Sequence, residues 1–287
     1  MERLLQDLAS QASVPPILVI DSSDDGLTRD IVLSAARRVP VEIRYAHTGA
    51  GLTRQRMEAV NRLAPDTEVV HFVDDDVILE PNYFAAIEET FVADRSLLGA
   101  GGLIANLPEH RPSLLRRLFL LDCRQDGKIL PSGINVLVFS AAQPLPVDWL
   151  SGCSMSYRRS VFDRLSFDTR MTGYSLGEDV DFSYRVAKIG HLMVTPHARL
   201  AHLCSPVGRT DAHAQARAAV VRRHQFVRQM RGDLRLSAFW WSFVGELVIQ
   251  VSKGLLGARR YPLVRAAHIA LALGDIAMAD RGELDQT

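Results

Sequence analysis

The sequence predicts an α/β fold: a mostly parallel central sheet with flanking helices, followed by amphipathic helices toward the C-terminal end. Three observations carry this expectation. Short β-branched runs alternate with helical stretches between Pro16 and Ile104, the pattern of a sheet covered by helices. Two of those runs end abruptly in carboxylates, at Asp21 and at Asp74-Asp75-Asp76. Beyond residue 210 the pattern changes to long helices, first arginine-rich and then apolar.

Residues 1 to 12 read as a helix with Leu4, Leu5 and Leu8 on one side. The segment Pro16-Ile17-Leu18-Val19-Ile20-Asp21 is a buried strand ending in an acid. Ser22 to Gly26 is turn chemistry, and Thr28 begins a helix that runs to Arg38. Val41 to Ala46 is a further strand, and Gly49-Ala50-Gly51 opens a helix carrying Arg54 and Arg56. Val69 to Val73 has the composition of a strand buried on both faces, and Pro81 stops further ladder pairing.

Three adjacent carboxylates repel one another, so an apolar strand ending in Asp74, Asp75 and Asp76 calls for a cation. Asp74 and Asp76 point to the same side of an extended chain, which suits Mg2+ or Mn2+ bridging phosphates. The bland readings are a solvated acidic turn for this cluster and a helix cap for Asp21. Ligands of open α/β sheets bind at the carboxyl ends of strands, and both acidic segments would lie on that edge.

Leu98 to Ile104, rich in glycine, should be a strand with close backbone approach. Residues 105 to 147, proline-rich and without periodicity, read as an insertion or mobile loop region. Order returns at Asp148 to Arg159, where small residues around Gly152 would let a ligand approach the backbone. Gly177-Glu178-Asp179-Val180-Asp181 opens a helix with Val180, Tyr184 and Ala187 facing inward. Its acids are either favourable charges at a helix N-terminus or the surroundings of a general base. His202 ends an apolar run, whereas His191, His197, His213, His224 and His268 read as packing residues.

Charge argues against a nucleic-acid partner, since 33 Lys and Arg balance 33 Asp and Glu. Cys123, Cys153 and Cys204 lack metal spacing and suit a reducing compartment. Residues 211 to 232 form a basic helix with Arg217, Arg222, Arg223, Arg228 and Arg231. Ala238 to Leu256 is apolar and aromatic, with a narrow polar stripe of Ser242, Glu246, Gln250 and Lys253. A spanning helix tolerates Glu246 poorly, so this segment reads as an amphipathic helix lying in a membrane interface. A helix packed on the catalytic domain, or in a dimer interface, is the alternative.

The order of segments then resembles the family 2 glycosyltransferases of the GT-A fold, of the bacterial cell-surface polysaccharide type. The likeness rests on strand–Asp21-Ser-Ser-Asp, Arg56, Asp74-Asp75-Asp76 with Pro81, Gly152 with Tyr157-Arg158-Arg159, Gly177-Glu178-Asp179-x-Asp181-x-x-x-Arg185, and His202. It covers residues 1 to 205 and implies a GT-A domain over 1–210 with a membrane-associated helical region over 211–287. By this resemblance Asp21 contacts the nucleotide base and Arg56 the nucleotide or its diphosphate. Asp74, with Asp75 and Gly152, lies on the donor, and Asp76, Asp74 and His202 hold the metal. Asp179 is the catalytic base, and Glu178 beside it helps hold the acceptor.

The implied reaction is inverting, metal-dependent transfer of one hexosyl or deoxyhexosyl group from a nucleotide-diphospho-sugar to a glycan or lipid-linked acceptor. It would take place on the cytoplasmic face of the cell membrane, in cell-envelope polysaccharide or glycolipid synthesis. Gln225-Phe226-Val227-Arg228 is followed by Gln229 and not Trp, so the chain reads as a single-addition enzyme. Two other classes compete. A receiver-like phosphotransfer domain would need a lysine at a later strand end, and a silent membrane scaffold would not need Asp76, Glu178 and Asp179 intact. Family members also begin with a strand before the first helix. Its absence here predicts that Ile17 to Ile20 lacks one set of ladder partners, and that the native protein carries about ten to fifteen residues upstream of Met1.

Overall fold

A computed structural model describes residues 1–8, 11, 13–38, 41–171, 175–203, 211–257 and 260–281. In chain order the elements are α1 (Glu2–Leu8), β1 (Ile17–Asp21), α2 (Leu27–Ala35), β2 (Ile43–His47), α3 (Leu52–Asn61), β3 (Val69–Val73), β4 (Val77–Leu79), α4 (Tyr83–Ala93) and β5 (Leu97–Ile104). There follow α5 (Leu114–Leu118), β6 (Leu145–Val147), β7 (Ser154–Arg158), α6 (Glu178–Ala187), β8 (His191–His202), α7 (Ala212–Gln229), α8 (Leu236–Leu256) and α9 (Arg260–Arg281). They form two compact units, Met1–Glu109 with Val138–Ser205, and His110–Leu137 with Pro206–Thr287.

In the first unit β3, β7, β5, β8 and β4 lie side by side in that order, with β6 also on β8. Only β5–β8 is parallel in this sheet, while β3–β7, β5–β7, β4–β8 and β6–β8 are antiparallel. The sheet is therefore mixed, which corrects the expectation of mostly parallel strands. Strand–helix alternation fixes direction only for strands joined by a helical crossover. Here β4 follows β3 without a helix, and β6 and β7 arrive through irregular chain. β1 and β2 form a separate parallel pair, so among the described residues Ile17 to Ile20 ladder with β2 alone.

Apolar packing joins the layers. Leu4, Leu5 and Leu8 of α1 and Val32 and Ala35 of α2 belong to the same buried cluster as Leu79, Phe84 and Ile87. A second cluster lies under α6, where Phe182 and Val186 are fully buried. Phe182 stacks on Phe167 with ring centroids 4.0 Å apart. Phe182 and Val186, with Tyr184, make the apolar inner face of α6; Val180 and Ala187, expected inside, are only half-buried.

The glycines of β5 exist because its neighbours come too close for a side chain. A Cβ on Gly102 would stand 2.6 Å from the Tyr83 ring and 2.9 Å from the Ala198 carbonyl oxygen. Neither atom is free to move, since Tyr83 is wholly buried and its hydroxyl hydrogen-bonds the Ser154 hydroxyl at 2.8 Å. Gly102→Ala should therefore cost about 1–3 kcal/mol of stability, read as a lower urea midpoint with unchanged slope.

The second unit corrects the boundary expected at residue 210. Residues 110–137, expected to be an insertion or loop, pack with the C-terminal helices. The Pro131 carbonyl accepts from the Arg235 N–H at 2.9 Å, and the Leu118 carbonyl from the Trp241 indole at 2.7 Å. Phe119 fills the space left by Gly245 of α8. Prolines hide this from periodicity, because the segment docks through turns and single side chains. Helix α7 is pinned by charge: Arg217 to Asp275 and Arg228 to Asp280 of α9, and Arg223 to Glu246 of α8 at 3.7 Å. Helix α9, within the region predicted to be helical, is long and apolar enough to cross a membrane by length and composition.

Candidate active site

The carboxylates leave β3 as expected, but they do not all turn the same way. Asp74 and Asp76 are half-buried and lie with His202 so that one ligand atom from each falls within 4.8 Å of the others. Backbone pairing makes this happen. β4 runs antiparallel to β8 with Val77 opposite His202, and the Asp76 carbonyl accepts from the Leu203 N–H at 2.9 Å. Asn106 then clamps the His202 backbone, accepting from its N–H at 2.9 Å and donating to its carbonyl at 2.8 Å. The His202 Nε2 stands 3.2 Å from Asp76 Oδ1. Asp75 sits apart from this group, 63% exposed and beside the amino terminus of Met1. That follows from the alternation of an extended chain, which sends every second side chain to the other face.

Two carboxylates and an imidazole form a donor set suited to a hard or borderline divalent ion. Burial raises the Asp74 carboxyl above its ordinary range, with Arg56 opposing and Asp76 reinforcing the shift. Close acids of this kind are accommodated once a cation lies between them.

Arg56 is the hub of the site. It shares the inward face of α3 with Thr53 and Val60, at helical spacing, and is buried. Its guanidinium pairs with Glu178, stands 3.7 Å from Asp74 Oδ1 and donates to the Gly152 carbonyl at 3.3 Å. The Phe167 ring lies beneath it, 5.6 Å from guanidinium carbon to centroid. The preceding residue, Gln55, donates to the Ile20 carbonyl at 3.2 Å, so one turn of α3 ties the end of β1 to the acids. Sequence reading offered Arg56 as a contact to the nucleotide or its diphosphate; here its guanidinium lies buried between Glu178, Asp74 and Gly152.

Glu178 and Asp179 open α6 behind Gly177, whose φ of 83° only glycine adopts freely. Glu178 turns inward and is buried against Arg56. Burial raises its carboxyl above the ordinary range, and the guanidinium pulls it back. Asp179 lies half-exposed, with Oδ2 accepting from the Gly152 N–H and Oδ1 from its neighbour Val180's N–H, both at 2.9 Å. Both oxygens are thereby oriented by backbone, as a proton acceptor needs.

Gly152 joins the two halves, donating to Asp179 and accepting from Arg56. A Cβ there would lie 3.0 Å from Arg56 Nη2 and 3.2 Å from Glu178 Oε1. Gly152→Ala should displace these groups by a few tenths of an ångström and lower kcat about ten- to a hundredfold, with weaker donor binding beside it. Steady-state kinetics beside a binding isotherm check this. Cys153, next in sequence, is a packing group: burial pushes its thiol up to about 12.

Asp21 ends β1 and is buried, but its carboxylate is already engaged. It accepts from the Ser23 N–H at 3.0 Å, the Ser23 hydroxyl at 2.8 Å and the Tyr45 hydroxyl at 3.0 Å. Burial would raise its pKa, and these donors together outweigh burial and hold it low. Tyr45 and Phe167 escaped sequence reading, because each acts through a contact that no spacing rule encodes, and Ser23 was read as turn chemistry and part of the Asp21-Ser-Ser-Asp motif, without its bond to Asp21.

A model of the glycosyltransferase-like family 2 matches residues 3–232. Among solved structures, the chain is similar to the mannosyltransferase PcManGT of Pyrobaculum calidifontis in complex with GDP-Man and Mn2+. That match has a TM-score of 0.61 and 14% identity, covering 96% of this chain and 82% of the other. It is also similar to GalNAc-T7 with UDP, GalNAc and Mn2+, with a TM-score of 0.52 and 16% identity, covering 73% of this chain and 41% of that one. No curated protein matches the sequence.

Proposed function

This chain belongs to glycosyltransferase-like family 2, and from that premise we propose that it transfers a single sugar, with inversion, from a nucleotide-diphospho-sugar to an acceptor hydroxyl. The acceptor we propose is a glycan or a lipid-linked glycan of the cell envelope. The observation that carries the reading is the bracket at Gly152, whose N–H aims Asp179 while its carbonyl holds Arg56 between Glu178 and Asp74. Acids suited to the leaving group and an acid suited to the attacking group are thus tied to one another through a single buried guanidinium.

The roles divide accordingly. Asp74, Asp76 and His202 would hold a divalent ion, Mg2+ or Mn2+, and the ion would neutralise the diphosphate as it departs. Mn2+ in both solved neighbours supports this assignment. Asp179 accepts the proton of the acceptor hydroxyl as that oxygen attacks the anomeric carbon from the face opposite the diphosphate. The bond between that carbon and the diphosphate oxygen breaks, and its electron pair leaves with the nucleoside diphosphate. Arg56 keeps Asp74 and Glu178 from repelling and sets the spacing of the two halves, a contribution of positioning and charge. Asp21, with the Ser22–Ser23 turn, stays on the base side of the donor, and Asp75 and Gly152 border it.

Proton NMR of the reaction tests the stereochemistry. The first-formed product should carry the anomeric configuration opposite to that of the donor; retention would sink the single-displacement reading.

A further inference from the structure

We propose that the helical unit docks face-on onto an anionic phospholipid bilayer through the open sides of α8 and α9. The proposal deepens the reading of a lipid-linked acceptor, and rests on it for its biological purpose but not for its geometry.

Both helices leave apolar side chains open to water. In α8 the side chains of Trp240, Trp241, Val244, Val248, Val251 and Leu255 are exposed, recurring every three to four residues as one stripe. Two of its polar residues point the other way: Ser242 is wholly buried, and Glu246 faces Arg223 of α7. Helix α9 adds further exposed apolar side chains. Leu263, Val264, Leu271 and Leu273 are exposed, while Asp275 and Asp280 are held by Arg217 and Arg228 of α7. The acids that would keep such a surface wet are thus spent on α7. A monomer in water rarely leaves so long an apolar face open.

Charge selects the occupant. The neutral total of the chain is a cancellation between its parts. Residues 110–137 and 206–287 hold 17 Lys and Arg against 9 Asp and Glu, a net +8, whereas the rest holds 16 against 24, a net −8. Exposed cations border the apolar stripe, with Arg231 and Arg235 before α8 and Lys253 and Arg260 where α8 gives way to α9. An apolar face bordered by cations matches acyl chains beneath anionic headgroups. A second copy would bring two surfaces of the same sign together.

Flotation of the full chain on vesicles tests this, using phosphatidylcholine with and without phosphatidylglycerol. The wild type should float with the anionic vesicles and bind neutral ones roughly tenfold less. Val248→Asp and Leu271→Asp, at exposed positions, should each weaken binding about tenfold or more. Asp179→Asn should float like the wild type, so a failure of the catalytic reading leaves this result untouched. Emission of Trp240 and Trp241 should move to shorter wavelength on adding anionic vesicles, which needs no variant. Wild-type protein that stays in the soluble fraction with unshifted emission overturns the proposal, as does a stable dimer whose formation Val248→Asp abolishes. Equal flotation on both vesicle types overturns its electrostatic half.

Discussion

Asp179→Asn should bind donor normally and lose turnover, with kcat lower by about 10²–10⁴-fold. The amide has the shape of the carboxylate and can still accept from one of the two backbone N–H groups that orient it, those of Gly152 and Val180. What it cannot do is take a proton. Arg56, Glu178 and Asp74 keep their mutual contacts, since none of them is bonded to the Asp179 side chain. The expected signature is a loss in kcat with little change in the dissociation constant for the nucleoside diphosphate. Near-native transfer by this variant would remove Asp179 from the role of base.

The second large effect is expected at Asp76. Asp76→Ala should abolish metal-dependent nucleotide binding, weakening it roughly a hundredfold or more, while the metal-free protein melts near the wild-type temperature. The separation is possible because the backbone, not the side chain, holds β4 to β8 here. The Asp76 carbonyl keeps its bond from the Leu203 N–H, and Asn106 keeps its clamp on His202. Only the carboxylate beside His202 Nε2 is lost. A variant that binds nucleotide and Mn2+ as the wild type does would place the metal elsewhere.

The parts of this site that were legible in the sequence are those written as residue type and order. Asp74 and Asp76 stood out because carboxylates at the end of an apolar strand repel unless a cation joins them, whereas Glu178, Asp179 and His202 stood out only through the order of motifs. Partners were not legible. Periodicity placed Arg56 on the helix opened by Gly51, but the segments that close over it, Gly152 and Phe167, lie about a hundred residues away. For the same reason the pairing of Glu178 with Arg56 was not foreseen. The sheet's mixed directions were hidden because the alternation of strands and helices does not count strands that enter through loops. The union of residues 110–137 with the C-terminal helices was hidden because turns carry no periodic signal. Helix α8 shows the sharpest difference. Its polar stripe was visible, but only the structure shows that Glu246 faces Arg223 of α7, that Ser242 is buried and that the Trp240–Trp241 side is open.

The most direct measurement of the central claim is a calorimetric titration of the wild-type chain with nucleoside diphosphates, first with Mn2+ and then after chelation. The arrangement of Asp74, Asp76 and His202 beside Arg56 predicts that at least one nucleoside diphosphate binds with Mn2+ present, that chelation removes the binding, and that restoring the ion restores it. Binding that is equally tight after chelation, or no binding of any nucleoside diphosphate with the metal present, would contradict the account.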